Sequence, residues 1–145
     1  MSTPPTDESL GTLLKRAQHA LDIALDHELQ ALDLTPAQYT ALAAIDGDPK
    51  LSNAELARQC HVTAQTMHRV VALLERDGLV VRKAHPTHGR IQELSVSRKG
   101  RTVLTKAHKL VGKVEATLVG GVSERDVKVA GRVLRGGLDA LSPKV

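Results

Sequence analysis

Phenylalanine and tryptophan are absent from this 145-residue chain, tyrosine occurs once, and aromatic residues make up 1% of the composition. The 41% hydrophobic content is therefore drawn almost entirely from Leu, Val and Ala, a palette that favours closely packed helices. A single cysteine, Cys60, excludes an internal disulfide. No apolar run approaches the roughly 20 residues of a membrane-spanning helix. The N-terminus also lacks the basic-then-apolar pattern of a secretory signal, so a cytoplasmic protein with no membrane partner is expected. Phosphate-cradling glycine loops, a nucleophile elbow and any His/Asp/Ser set that spacing would unite are missing too. Neither catalysis nor a cofactor is expected. Internal repeats and low-complexity segments are also lacking, and the length suits one compact domain with a real core.

Charge is present but unevenly placed. The formal net charge is +4, yet residues 1–50 carry three Lys/Arg against eight Asp/Glu, while residues 51–110 carry eleven against four. Basic charge gathered on one segment is the electrostatic footprint of a nucleic-acid-binding surface.

The basic segment has its own grammar. Ser52 followed by Glu55 forms a capping box, predicting a short helix from Asn53 to about Cys60. Thr63 caps a second helix, in which Met67, Val70, Val71 and Leu74 recur at helical spacing and must face a core. The opposite side carries Thr63, Ala64, Gln65, Thr66, His68 and Arg69. Gln can pair bidentately with adenine, and Arg with guanine or phosphate, so this set is the candidate major-groove surface. Asp77-Gly78 ends the helix, and Leu79-Val80-Val81 begins a strand. Lys83, His85, His88 and Arg90 decorate a loop containing Pro86 and Gly89, and Ile91 to Val96 forms the returning strand. Two helices across a tight turn, followed by a basic hairpin, predict a winged helix-turn-helix that reads double-stranded DNA.

The flanks are helical. Leu10, Leu13, Leu14, Ala17, Leu21, Ala24, Leu25 and Leu32 trace one face of a helix from about Asp7 to Ala31, preceded by a disordered tip at residues 1–6. Thr35, Pro36 and Gln38 announce the next helix, which ends at Gly47-Asp48-Pro49. Ser97 caps a helix carrying Val103, Leu104, Ala107, Leu110, Val111, Val114 and Leu118 on one face. Gly120-Gly121 breaks it, and Ser123 with Asp126 starts a last helix through Val127, Ala130, Val133, Leu134, Leu138 and Leu141. These terminal helices carry more apolar surface than a lone chain can hide. Association with a second copy is expected, because closed two-fold dimers are the commonest oligomers.

The ordered series Leu56-Ala57, Val62-Thr63, Arg69, Leu74-Glu75, Asp77-Gly78-Leu79-Val80 and Arg82, with a basic wing and Ser97-Arg98-Lys99-Gly100 leading into a long helix, resembles the MarR family of transcriptional regulators over nearly the whole chain. The resemblance implies a mainly α fold of about six helices plus a small β-hairpin wing. It divides the chain into an N-terminal dimerisation helix (1–33), a winged helix-turn-helix region (34–96) and C-terminal dimerisation helices (97–145). It also implies a homodimeric repressor, one recognition helix in each major groove of a pseudo-palindromic operator, and Arg90 as a wing arginine at the minor groove or backbone. Four positions depart from the family pattern: His61 stands where Gly is common, His85 and His88 replace acidic wing residues, and Gly89 replaces a frequent Arg. Wing geometry is the least transferable part.

In this family small anionic aromatic molecules bind crevices between the dimer helices and the reading head and release DNA. His19, His27, Gln38 and Tyr39 are the candidates for lining such a crevice. Two sensing alternatives find less support in the residues. Thiol sensors of the family place their cysteine in the N-terminal dimer region, whereas Cys60 ends the first reading helix as a small hydrophobe. His85 and His88 beside Cys60-His61 lack the further ligands of a zinc site, so no metal is expected. Arg82, Arg98 and Lys99 are either phosphate contacts or solvated surface. A winged helix used only for protein contacts is the rival from another class; the retained basic wing argues against it.

Overall fold

The computed structural model describes residues 9–84 and 92–142. Six α-helices and one hairpin follow in order: α1 (Leu10–Leu29), α2 (Pro36–Gly47), α3 (Asn53–Gln59), α4 (Ala64–Arg76), β1 (Val80–Ala84), β2 (Gln92–Val96), α5 (Arg98–Leu118) and α6 (Glu124–Leu141). The mainly α winged arrangement is as the sequence predicts.

Helix starts are set by local side-chain chemistry. Thr35 and Gln38 complete a reciprocal box at α2: the Gln38 N–H donates to Thr35 Oγ1 at 3.1 Å, and the Thr35 N–H donates to Gln38 Oε1 at 2.9 Å, with Pro36 in the first turn. At α3 only half of the expected box forms. The Glu55 N–H donates to Ser52 Oγ at 3.1 Å, but the Ser52 hydroxyl donates to Glu55 Oε1 at 3.0 Å, so the carboxylate takes the hydroxyl proton instead of reaching back to the backbone. Thr63, Ser97 and Ser123 cap α4, α5 and α6 through the N–H three residues on.

Boundaries differ from expectation in two places, each for a hydrogen-bonding reason. Of the first helix predicted over Asp7 to Ala31, Asp7 lies outside the described residues and regular α geometry stops at Leu29. A 3-10 turn over Gln30–Leu32 follows, closed by Asp33 in the left-handed region (φ 54°), which lets the Leu34 N–H return to the Leu29 carbonyl. Leu79, expected to open β1, belongs to the helix end instead. Its N–H closes on Leu74 O at 2.9 Å, with Gly78 at φ +73°, and its carbonyl accepts from the Ser97 N–H at 2.9 Å. The ladder therefore runs from Val80 opposite Val96 to Ala84 opposite Gln92, antiparallel. Residue 91, predicted to begin the return strand, lies outside the described residues.

The chain divides into two compact units, Met1–Gly112 and Lys113–Val145. In the first, Leu29, Leu42, Ile45, Leu56, Met67, Leu74 and Val80 are the largest fully buried side chains, an aliphatic core drawn from α1 to α4 and the hairpin. None of the described helices is long and apolar enough to cross a membrane.

The second unit holds the end of α5, a turn with Gly121 at φ +81°, and α6. Although α6 is strongly two-sided, none of its 18 residues is buried. Leu134, Leu138 and Leu141 are 44%, 63% and 87% exposed. The outer half of α1 shows the same excess, with Leu10 at 64% and Leu13 and Leu14 near half.

Candidate nucleic-acid interface

The reading face follows from the helical period of α4. Met67, Val70, Val71 and Leu74 are buried, which turns Ala64, Gln65, His68 and Arg69 outward. The N-terminal half of α4 carries no carboxylate, so the positive end of its helix dipole and Arg69 act with the same sign. Thr63 is exposed and Thr66 half-buried. The Thr63 hydroxyl donates to Thr66 Oγ1 at 2.9 Å while accepting the Thr66 N–H, leaving the Thr66 hydroxyl proton for an outside acceptor.

The turn that presents this helix is built without glycine. His61 takes φ 55°, a left-handed conformation for which His is among the tolerated residues, and the Val62 N–H closes on Ala57 O at 3.0 Å. Asn53 Nδ2 reaches across from α3 to the Ala64 carbonyl at 3.2 Å, fixing the first turn of α4 against its partner helix. Sequence reading misses Asn53, since nothing local marks a bond spanning eleven residues.

Arg82 joins the hairpin to α4. Expected either at phosphate or in solvent, Arg82 instead donates to Glu75 Oε1 at 2.6 Å, with side chains 42% and 33% exposed. A pair so wet contributes only about 0–1 kcal/mol to stability, but it ties β1 to the last turn of α4. Lys99 is similarly occupied, its Nζ donating to Asp77 O at 2.9 Å. Lys83 is exposed on β1, directly across the ladder from Glu93. Arg98 is exposed. His85, His88 and Arg90 lie outside the described residues.

The ligand candidates separate. His19 and His27 are exposed on α1, while Gln38 is buried with its carbonyl committed to the α2 cap. Tyr39 is half-buried and meets α5: its hydroxyl lies 2.8 Å from His108 Nδ1, with the rings edge to face at 5.5 Å. Burial pushes the Tyr39 phenol up from its ordinary pKa, so it stays protonated at neutral pH. His108 has no signal in the sequence beyond its place on a helix.

Cys60 packs half-buried against the core, and burial pushes its thiol up. Since the thiolate is the nucleophile, alkylation by iodoacetamide at pH 7 is expected to run several-fold slower than for glutathione and to accelerate in urea. Equal rates in folded and unfolded protein would contradict this environment. Among the described residues no group of three His, Cys, Asp or Glu side chains is placed to hold a metal ion.

Comparison with known proteins agrees with this architecture. A family model described as MarR family matches residues 32–91. The HTH-type transcriptional repressor Rv2887 of Mycobacterium tuberculosis is 34% identical over 113 residues, spanning 78% of this chain and 81% of the relative. The crystal structure of the Mycobacterium tuberculosis MarR family protein Rv2887 in complex with salicylic acid superposes with a TM-score of 0.75 at 30% identity, covering 90% of this chain and 97% of that one. The transcriptional repressor CouR bound to a 23-mer DNA duplex gives a TM-score of 0.79 at 28% identity, covering 96% and 98%. The chain belongs to the MarR family of winged helix-turn-helix regulators.

Proposed function

We propose that this protein is a sequence-specific, double-stranded DNA-binding repressor that acts as a homodimer and answers to a small effector. The observation that carries the reading is the outward face of α4, where Gln65, His68 and Arg69 stand free beside a carboxylate-free helix start, on a scaffold whose relative CouR holds a DNA duplex. Thr63, Ala64, Gln65, Thr66, His68 and Arg69 meet base edges and nearby phosphates in the major groove, and Lys83 holds the backbone. His88 and Arg90, outside the described residues, extend that contact into the wing. A second copy covers the exposed apolar faces of α1 and α6, which sets two reading heads on a pseudo-palindrome. The family consists of regulators, so no catalytic role is assigned, and the repressor works in the cytoplasm on the nucleoid.

The effector reading draws on Rv2887, whose structure holds salicylic acid. A ligand that binds better to a head spacing mismatched to the operator releases DNA by shifting the population. Gln38 and Tyr39 remain the candidates nearest the core, Tyr39 now together with His108, while His19 is placed in solvent.

The test separates reading from charge. Gln65→Ala should flatten the preference at one position of each half-site and leave random-duplex binding almost unchanged. Lys83→Ala should weaken both duplexes and lower the magnitude of the salt slope by about one unit for each phosphate left without its cation, twice over in a dimer. Binding curves on operator and random DNA across a salt series decide. Equal weakening by Gln65→Ala on both duplexes, with no effect of Lys83→Ala, would mean that another face of α4 reads the DNA.

A further inference from the structure

A cleft of about 510 Å³ opens within the first unit, bounded by the turn after α1, the start of α2, the end of α4 and the start of α5. Its lining is mostly polar, from Asp33, Gln38, Arg76, Asp77 and Lys99, with a smaller apolar share from Leu32, Leu79 and Val103. Its volume lies in the range of small-molecule sites, about 300–1,000 Å³. No group of the reading face lines it.

Gln38 shows that the cleft is more than a dent. The residue is only 5% exposed, and its Oε1 is held by the Thr35 N–H at 2.9 Å. Its Nε2 has no partner among the described residues, yet no fully buried side-chain nitrogen or oxygen there lacks one, so the amide nitrogen is reached by solvent, and Gln38 is one of the residues that line the cleft. A solvent-reached primary amide with two N–H groups is available as a donor to an acceptor bound in the cleft. On the rim, Arg76 Nε is occupied by Asp77 Oδ1 at 3.1 Å, and one ammonium proton of Lys99 by Asp77 O at 2.9 Å. The terminal guanidinium nitrogens and the other Lys99 protons are left over. Asp33, exposed on the turn after α1, adds a carboxylate with no partner among the described residues to the lining.

The rim thus offers two cations and two carboxylates. A simple anion would gain Lys99 and Arg76 but face Asp33 and Asp77; a simple amine would meet the reverse. A molecule carrying both signs next to an apolar group satisfies all of them. We propose that this cleft binds a small zwitterion of the α-amino-acid type with an apolar side chain. The carboxylate takes the Gln38 amide and Lys99, the ammonium faces Asp33, and the side chain lies on Leu32, Leu79 and Val103. An occupant that draws Lys99 from the Asp77 carbonyl loosens the junction between α4 and α5, and this regulatory consequence alone rests on the DNA-binding reading.

Calorimetry on the full chain without DNA tests the site, with L-phenylalanine, L-leucine and L-methionine as probes and 3-phenylpropanoate and 2-phenylethylamine as single-charge controls. At least one amino acid is expected to bind with one site per chain, and for L-phenylalanine each control should be tenfold weaker or worse. Asp33→Asn, which keeps a residue tolerant of left-handed backbone, and Gln38→Glu, which keeps the capping oxygen, should each lower affinity tenfold with circular-dichroism melting unchanged. The proposal fails if no amino acid binds with a Kd of about 10 mM or tighter, if 3-phenylpropanoate binds as well as L-phenylalanine, or if neither variant alters binding. Failure of the DNA-binding reading would appear separately, as no retained duplex from the same preparation.

Discussion

Gly100→Ala is expected to destabilise the protein by about 2–4 kcal/mol, although alanine is the better helix former by roughly 1 kcal/mol. A Cβ at position 100 would collide with the Leu79 carbonyl oxygen and lie 2.9 Å from Val96 Cγ1. The Leu79 carbonyl cannot move aside cheaply, because it accepts the Ser97 N–H at 2.9 Å while the Leu79 N–H closes the end of α4. The neighbouring carbonyls are taken as well: Gly78 O by the Ser97 hydroxyl at 2.5 Å, and Asp77 O by Lys99. The first turn of α5 thus serves as the cap for the end of the reading helix. Opening that junction leaves the buried Leu79 carbonyl unpaired and releases the more exposed Gly78 and Asp77 acceptors with it. Urea denaturation at fixed protein concentration is the measurement, with Gly47→Ala as control. A Cβ there meets nothing within 4 Å, so a neutral or slightly stabilising result is expected. If Gly100→Ala matched the control, the close approach of α5 to Leu79 would be wrong.

What is legible in the sequence follows the range of each interaction. The caps at Thr35, Thr63, Ser97 and Ser123 act over three residues, so residue spacing alone reveals them. The reading face of α4 emerges for the same reason, since burial of Met67, Val70, Val71 and Leu74 leaves only one side for Gln65, His68 and Arg69. Even the left-handed turn at His61 is visible as a departure from glycine that histidine tolerates. Contacts that depend on folding are not. Arg82 gives no hint of preferring Glu75 over phosphate, Lys99 none of reaching the Asp77 carbonyl 22 residues earlier, and Tyr39 none of meeting His108 at 69 residues' distance. Ser97 to Gly100 reads as a family turn, but the need for glycine there arises from strand and helix approaching across the fold. The capping bond of Gln38 is legible from its spacing to Thr35, whereas its place as an effector candidate rests on residue type alone, and the structure adds only that it lines a cleft.

Leu134→Glu combined with Leu138→Glu is expected to convert the dimer to a monomer. In the single chain these two leucines are 44% and 63% exposed on a helix that buries none of its residues, a state that α6 cannot maintain by itself. Gly131, Gly136 and Gly137 each cost the helix about 1 kcal/mol relative to alanine, and 18 residues are near the lower limit for an isolated helix in water. Its order must therefore come from burial of the apolar side against another surface, and each leucine so covered is worth roughly 1.5–3 kcal/mol. Two carboxylates in its place would have to be desolvated without partners, which exceeds what the rest of the interface can offset. Light scattering should report the monomer mass, and far-UV circular dichroism should lose helix equivalent to most of α6, while the first unit keeps its own core. Operator affinity should fall toward that of a half-site, because the second reading head is no longer held on the same duplex. A dimer of unchanged mass carrying both glutamates would show that α6 is not the dimerising surface, and the apolar face of α1 would then have to be paired without it.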